Sequence, residues 1–176
     1  MSHMNALHDY AQFLRKFLKP VRPLRVVFDA SDGTTGLVIK KLSNLVIGKL
    51  NAILVNEKPD GRFPAHGPNP WNEKTLAALG REVVRRKADC GVVFDADGDR
   101  VFFVDDKGRA VSGDHATILI GMRFRGPVVL DLRMGYGARE WFTAEKRKVV
   151  DSRVGHFFIK TPQTRFNVSE KVTDPG

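Results

Sequence analysis

Cysteine is almost missing from the chain: Cys90 is the only one in 176 residues. An internal disulfide is therefore excluded, and so is any metal site built on paired cysteines. Such sparing use fits a reducing, cytoplasmic setting. Long apolar runs are missing too. Stretches such as Val26-Val27-Phe28 and Gly91-Val92-Val93-Phe94 are far too short to cross a bilayer, so no membrane partner is expected. No signal peptide is read at the start, where Met1-Ser2-His3-Met4 reads as an expression scar and is set aside. Nor is there a dense basic tract, although 29 Lys and Arg against 20 Asp and Glu leave a net charge of +9. The short clusters Arg85-Arg86-Lys87 and Lys146-Arg147-Lys148 read as solvated helix faces. With no Cys/His finger and no aromatic-and-basic RNA motif, nucleic acid is not expected as a partner. Phosphorylated metabolites remain as anions that a basic excess suits.

What is present is an ordinary globular composition, 42% apolar and 9% aromatic, with length for one domain and part of another. Tyr10, Phe13, Leu14, Phe17 and Leu18 recur at helical spacing, which predicts a helix from His8 to Leu18 that Pro20 and Pro23 end. Leu24 to Asp29 is a Val-rich run that reads as a buried strand. A turn at 31–36 precedes a helix expected from Leu37 to Leu50 and a strand from Ala52 to Asn56. Pro59 to Pro70 is a proline- and glycine-rich loop, and Asn72 suits the N-cap of a helix running to about Lys87. Gly91 to Phe94 and Val101 to Val104 read as strands, with a turn at Asp105 to Arg109 and a helix from His115 to Met122. Beyond Arg123 to Gly126, Val128 to Leu132 reads as a strand, Gly137 to Lys146 as a helix, and Lys148 to Val150 as a strand.

The alternation implies an α/β fold: a three-layer α/β/α domain with a mainly parallel sheet, plus a partial second α/β domain. The division expected is a tag and lead-in at 1–9, an α/β domain at 10–122, a partial α/β domain at 127–160 and an irregular tail at 161–176.

The segment most loaded with chemistry is Phe94-Asp95-Ala96-Asp97-Gly98-Asp99-Arg100. Three carboxylates at alternate positions directly follow an apolar strand, and strand C-termini are where open α/β sheets place ligands. Carboxylates packed this closely repel one another, and a hard dication relieves that cost through oxygen ligands. Gly98 permits the tight turn such a loop needs. An EF-hand is excluded, because the glycine falls fourth rather than sixth, Asp106 stands where Glu is required at twelve, and the flanks read as strands. On spacing alone, a metal site and a solvated acidic turn both remain open. His66 has no second His or Cys near it in sequence and reads as a loop stabiliser, and Asp29 as a cap for the turn after its strand.

This loop resembles the metal loop of the α-D-phosphohexomutases, the phosphomannomutase and phosphoglucomutase family, which reads Asp-Gly-Asp-Gly-Asp-Arg; Ala96 is the one departure here. The likeness extends to Val26-Val27-Phe28-Asp29-Ala30-Ser31-Asp32-Gly33, to the Pro-rich segment 59–70, to Ala88-Asp89-Cys90-Gly91 and to Asp105-Asp106-Lys107-Gly108-Arg109. The resemblance implies that Asp95, Asp97 and Asp99 hold Mg²⁺ and that Arg100 sits beside the phosphoryl group being moved. Val154-Gly155-His156-Phe157-Phe158-Ile159-Lys160 resembles the family's sugar-binding turn. It would give His156 a role in contacting substrate or moving a proton, and make Gly155 and Lys160 substrate-binding. Arg133, after its strand, stands where the family carries a basic residue near the active site. The implied activity is that of an intramolecular phosphotransferase acting on a hexose phosphate.

Two family motifs have no counterpart. The phosphoserine loop of Thr-Ala-Ser-His-Asn-Pro type and the Gly-Glu-x-Ser-Gly-His motif do not occur, and Thr161 to Phe166 interrupts the helix expected after Lys160. The chain is accordingly expected to be inactive alone while keeping a Mg²⁺ site. The resemblance implies the metal-binding portion of a mutase or, alternatively, a non-catalytic remnant that binds a phosphosugar or a partner. Self-association through a former domain interface is also expected.

Overall fold

The computed structural model describes residues 6–155 and 157–159. The chain divides into two compact units, Met1–Val111 and Ser112–Gly176. The junction expected at Arg123 to Gly126 therefore falls inside the second unit, and the helix read as the end of the first domain belongs to the second.

The first unit holds helix α1 (Ala6–Arg15), strand β1 (Leu24–Asp29), α2 (Thr35–Leu45), β2 (Leu50–Val55), α3 (Glu73–Arg86), β3 (Cys90–Phe94), β4 (Val101–Val104) and β5 (Ala110–Val111). The sheet order is β2-β1-β3-β4-β5. β1 pairs in parallel with β2 and β3, while β4 and β5 run antiparallel. Successive side chains of a strand face opposite ways, and the cores follow that rule. Val27, Val93 and Val104 pack with Leu79 and Val83 of α3 on one face. Val26 and Val92 pack with Val46, Leu50 and Leu42 on the other. Helices thus cover both faces, giving the three layers.

Local chemistry sets the ends of these elements. The Asn72 side chain accepts a hydrogen bond from the Thr75 N–H at 2.7 Å, and Lys87 closes α3 in the left-handed conformation. α2 stops at Leu45 rather than at Leu50 because Gly48, at φ 81°, turns the chain and leaves Leu50 to open β2. α1 stops at Arg15 because the next three amides bond three residues back, tightening its last turn. β1 leads to β2 on one side and β3 lies on its other, so the strand order reverses between β1 and β3. Open α/β sheets place their ligand crevice at such a reversal.

The second unit holds α4 (Gly113–Gly121), β6 (Val128–Asp131), α5 (Tyr136–Ala144) and β7 (Val149–Ser152). β6 and β7 are parallel, with Asp131 beside Ser152. Leu130, Ala138 and Phe142 form its core. Among the described residues no helix is long and apolar enough to cross a membrane.

Candidate metal centre

The acidic loop links the C-terminal end of β3 to the antiparallel β4. Asp95 N–H donates to the Arg100 carbonyl at 3.2 Å, and Gly98 N–H donates to the Asp95 carbonyl at 3.2 Å. Gly98 has φ 78°, the left-handed region that glycine enters freely. This tight turn gathers Asp95, Asp97 and Asp99, each offering one carboxylate oxygen, and the three atoms lie within 4.8 Å of one another. Asp95 is buried at 1% exposure, while Asp97 and Asp99 are exposed.

Arg100 closes the loop on itself. Its backbone N–H donates to Asp95 Oδ1 at 3.1 Å and its Nε to Oδ2 at 2.7 Å. Asp99 Oδ1 lies 3.5 Å from the same Nε. Burial alone would raise the Asp95 carboxyl. The Arg100 N–H and guanidinium, with a hydrogen bond from Asp99, outweigh it and hold Asp95 below the usual carboxylate range. Asp99 moves the other way, pushed up first by that hydrogen bond to Asp95, then by lost hydration and the charges of Asp97 and Asp95. One arginine therefore does not balance three carboxylates. The surplus of negative charge and the hard oxygen donors suit a dication such as Mg²⁺.

Two other segments meet this loop. The turn after β1 carries Ser31 and Asp32 at φ 51° and 53°, and Gly33 N–H donates to the Ala30 carbonyl at 2.8 Å. Ser31 Oγ donates to the Phe94 carbonyl, and Thr34 N–H donates to the Ala96 carbonyl at 3.2 Å. Gly33 packs so closely on Ala96 that a Cβ would overlap its carbonyl oxygen. From the Pro-rich loop, the Pro68 carbonyl accepts from Ala96 N–H at 3.2 Å, and Asn69 Oδ1 accepts from Arg100 Nη1 at 3.3 Å. His66 Nε2 and Asp29 Oδ2 are 3.1 Å apart, while Asp29 Oδ1 accepts from Ser31 N–H at 2.9 Å and Asn56 Nδ2 at 3.0 Å. The sequence reading had a stabilising role for His66 and a capping role for Asp29 but no partner for His66. It did not single out Ser31, and gave Asn69 no contact with the metal loop.

In the second unit, Arg133 follows β6 and Gly155 follows β7, so the parallel pairing brings both to one sheet edge, the C-terminal one. The Arg133 guanidinium donates to Asp131 Oδ2 at 2.6 Å and 3.1 Å, with 70% of its side chain exposed. His156 and Lys160 lie outside the described residues.

The family described as "Phosphoglucomutase/phosphomannomutase, alpha/beta/alpha domain II" matches residues 5–108. The chain belongs to this family. A phosphomannomutase of Methanocaldococcus jannaschii is 32% identical over 162 residues, covering 89% of this chain and 35% of that protein. A probable phosphoglucosamine mutase of Methanosarcina acetivorans is 31% identical, covering 88% and 35%. The chain thus spans about a third of the length of these relatives. A Burkholderia thailandensis phosphoglucomutase/phosphomannomutase family protein shares the fold with a TM-score of 0.83 at 22% identity, covering 92% of this chain and 36% of that one. An Aspergillus fumigatus N-acetylphosphoglucosamine mutase, solved in complex with GlcNAc-6P and magnesium, has a TM-score of 0.61 at 16% identity, covering 92% and 34%.

Proposed function

We propose that this chain is the metal-binding portion of a phosphohexomutase, which interconverts hexose 1-phosphate and hexose 6-phosphate by Mg²⁺-assisted phosphoryl transfer. The observation that carries the reading is the convergence of Asp95, Asp97 and Asp99 within 4.8 Å, at the strand reversal where such folds bind ligands. The magnesium and GlcNAc-6P held by a relative of the same fold support the ion and the substrate class. Asp95, Asp97 and Asp99 would hold the ion, whose bound charge offsets that on the phosphoryl oxygens. Arg100, 53% exposed at its side chain, keeps donors free to meet a phosphoryl group while anchored to Asp95. Arg133, Gly155, His156 and Lys160 are assigned to the sugar phosphate, with His156 suited to proton movement near neutral pH.

We further propose that the chain alone is inactive; its 176 residues contain no serine in a Ser-His-Asn-Pro setting. The alternative reading is a non-catalytic module that binds a phosphosugar or a partner. Tyr10, Phe13 and Phe17, each about half exposed, offer an apolar surface for self-association, which a monomeric mass by light scattering would count against.

The test is Mg²⁺ titration by calorimetry of the chain and of Asp97→Asn. Binding by the parent that disappears in the variant, with unchanged circular dichroism, supports the site; equal binding by both sinks it. Turnover of glucose 1-phosphate by the isolated chain at an ordinary enzyme's rate would overturn its proposed inactivity.

A further inference from the structure

The metal loop is held from outside as well as by its own hydrogen bonds. Ser31 and Asp32 sit side by side in the left-handed region, a strained backbone state that persists only where the surroundings impose it. The surroundings here are specific. Asp29 accepts from the Ser31 N–H, Asp32 N–H donates to the Asn56 carbonyl at 2.9 Å, and the Asp32 carbonyl accepts from Asp60 N–H at 2.8 Å. Asp32 Oδ2 accepts from Ala65 N–H at 3.0 Å. The turn so imposed places the Ser31 hydroxyl on the Phe94 carbonyl, one residue before the first carboxylate of the metal loop.

Asp29 is 5% exposed, and a buried carboxylate needs a partner for each oxygen. Ser31 and Asn56 serve one oxygen; His66 serves the other. His66 is reached from the Pro-rich loop, whose Pro68 and Asn69 contact Ala96 and Arg100. The His66–Asp29 contact is therefore where the two supports of the metal loop are joined to each other. Among the described residues His66 Nδ1 is buried with no aligned hydrogen-bond partner, so the ring is fixed through Asp29.

We infer that His66 is a positioning residue for the metal loop, acting through Asp29 and Ser31 on Phe94 and through its own loop on Ala96 and Arg100. The inference rests on the metal reading of Asp95, Asp97 and Asp99. It assigns to a residue that touches no ligand a share of the affinity for the ion, because a carboxylate set binds a small hard cation tightly only when its oxygens are held in place.

The test compares Mg²⁺ affinity by calorimetry, and Mn²⁺ affinity by electron paramagnetic resonance, in the parent chain, His66→Ala, His66→Gln and Ser31→Ala. His66→Ala should weaken binding about tenfold, or about 1.4 kcal/mol. His66→Gln, which restores a donor toward Asp29, should recover most of that loss. Ser31→Ala breaks the same path without touching His66. It should weaken binding by a similar factor, and the double variant should lose less than the product of the two factors. Parent-like affinity in His66→Ala, or a loss that His66→Gln does not rescue, overturns the inference while leaving the metal site standing. A parent chain that binds neither ion overturns the metal reading itself, and this inference with it. If His66→Ala fails to fold, His66→Phe, which keeps a ring but no donor toward Asp29, takes its place, and parent-like affinity in it overturns the inference.

Discussion

Arg100 engages both oxygens of Asp95, one through its backbone N–H at 3.1 Å and one through Nε at 2.7 Å. The innermost carboxylate of the proposed site thus already faces a fixed cation. Removing that cation should favour a mobile one. We expect Arg100→Gln to tighten Mg²⁺ severalfold at low ionic strength, with less gain in added salt, because the guanidinium is half exposed and screened. Calorimetry at two salt concentrations checks this; weaker binding in the variant would mean that Arg100 orders the loop more than it competes for it.

Metal affinity should fall with acid sooner than ordinary aspartates would allow. Asp99 is pushed up by its hydrogen bond to Asp95, so it keeps its proton to higher pH, and an ion must displace that proton to use the oxygen. Asp95 is held down; its contribution to folding is present above its unfolded value and is lost as pH falls through its folded one. Mg²⁺ titrations stepped downward from pH 7.5 should therefore show affinity lost first through Asp99, with the slope shallower in Asp99→Asn.

Stability should move oppositely at His66. Its ring is raised above 6.5, mainly by the hydrogen bond to Asp29, against the effect of burial. The stabilisation is complete below the unfolded value and is lost as pH rises through the higher folded one. In urea unfolding, the advantage of the parent chain over His66→Gln should shrink as pH rises above the ordinary histidine range. A gap independent of pH would show that folding leaves the ring's hold on its proton unchanged.

Gly33→Ala should cost about 2 kcal/mol or more, because the added Cβ meets the rigid Ala96 carbonyl rather than a yielding side chain. The same variant should shift the amide resonances of the metal loop, a displacement that nuclear magnetic resonance reads directly.

Asn72→Ala removes the cap on Thr75 N–H. The expected loss is about 1 kcal/mol, a fall in Tm of about 2–4 °C for a chain of this size, with Mg²⁺ affinity unchanged.

The layers of the first unit were legible because buried strands carry compact apolar runs: Leu24–Asp29 and Val101–Val104 match the sequence reading end for end. The antiparallel direction of β4 was not, since pairing direction leaves no mark on alternation, and β5 has two residues and no period at all. The triad could be read because its three carboxylates are close in sequence. The contacts that support it could not, because His66 meets Asp29 across 37 positions and Ser31 meets Phe94 across 63. α4, with Leu119 and Ile120 exposed, shows no apolar stripe in the sequence that assigns it to either neighbour.

The three carboxylates and Arg100 all stand on one hairpin connection between β3 and β4. A hairpin closes on the microsecond scale, whereas pairing β3 with β1 must first close a loop of dozens of residues. The three carboxylates can thus be gathered early in folding, while the supports from residues 31–34 and 66–69 arrive late. Dissolved Mg²⁺ should then accelerate refolding as well as slow unfolding, and the ratio of the two effects would date the assembly of the centre along the folding path.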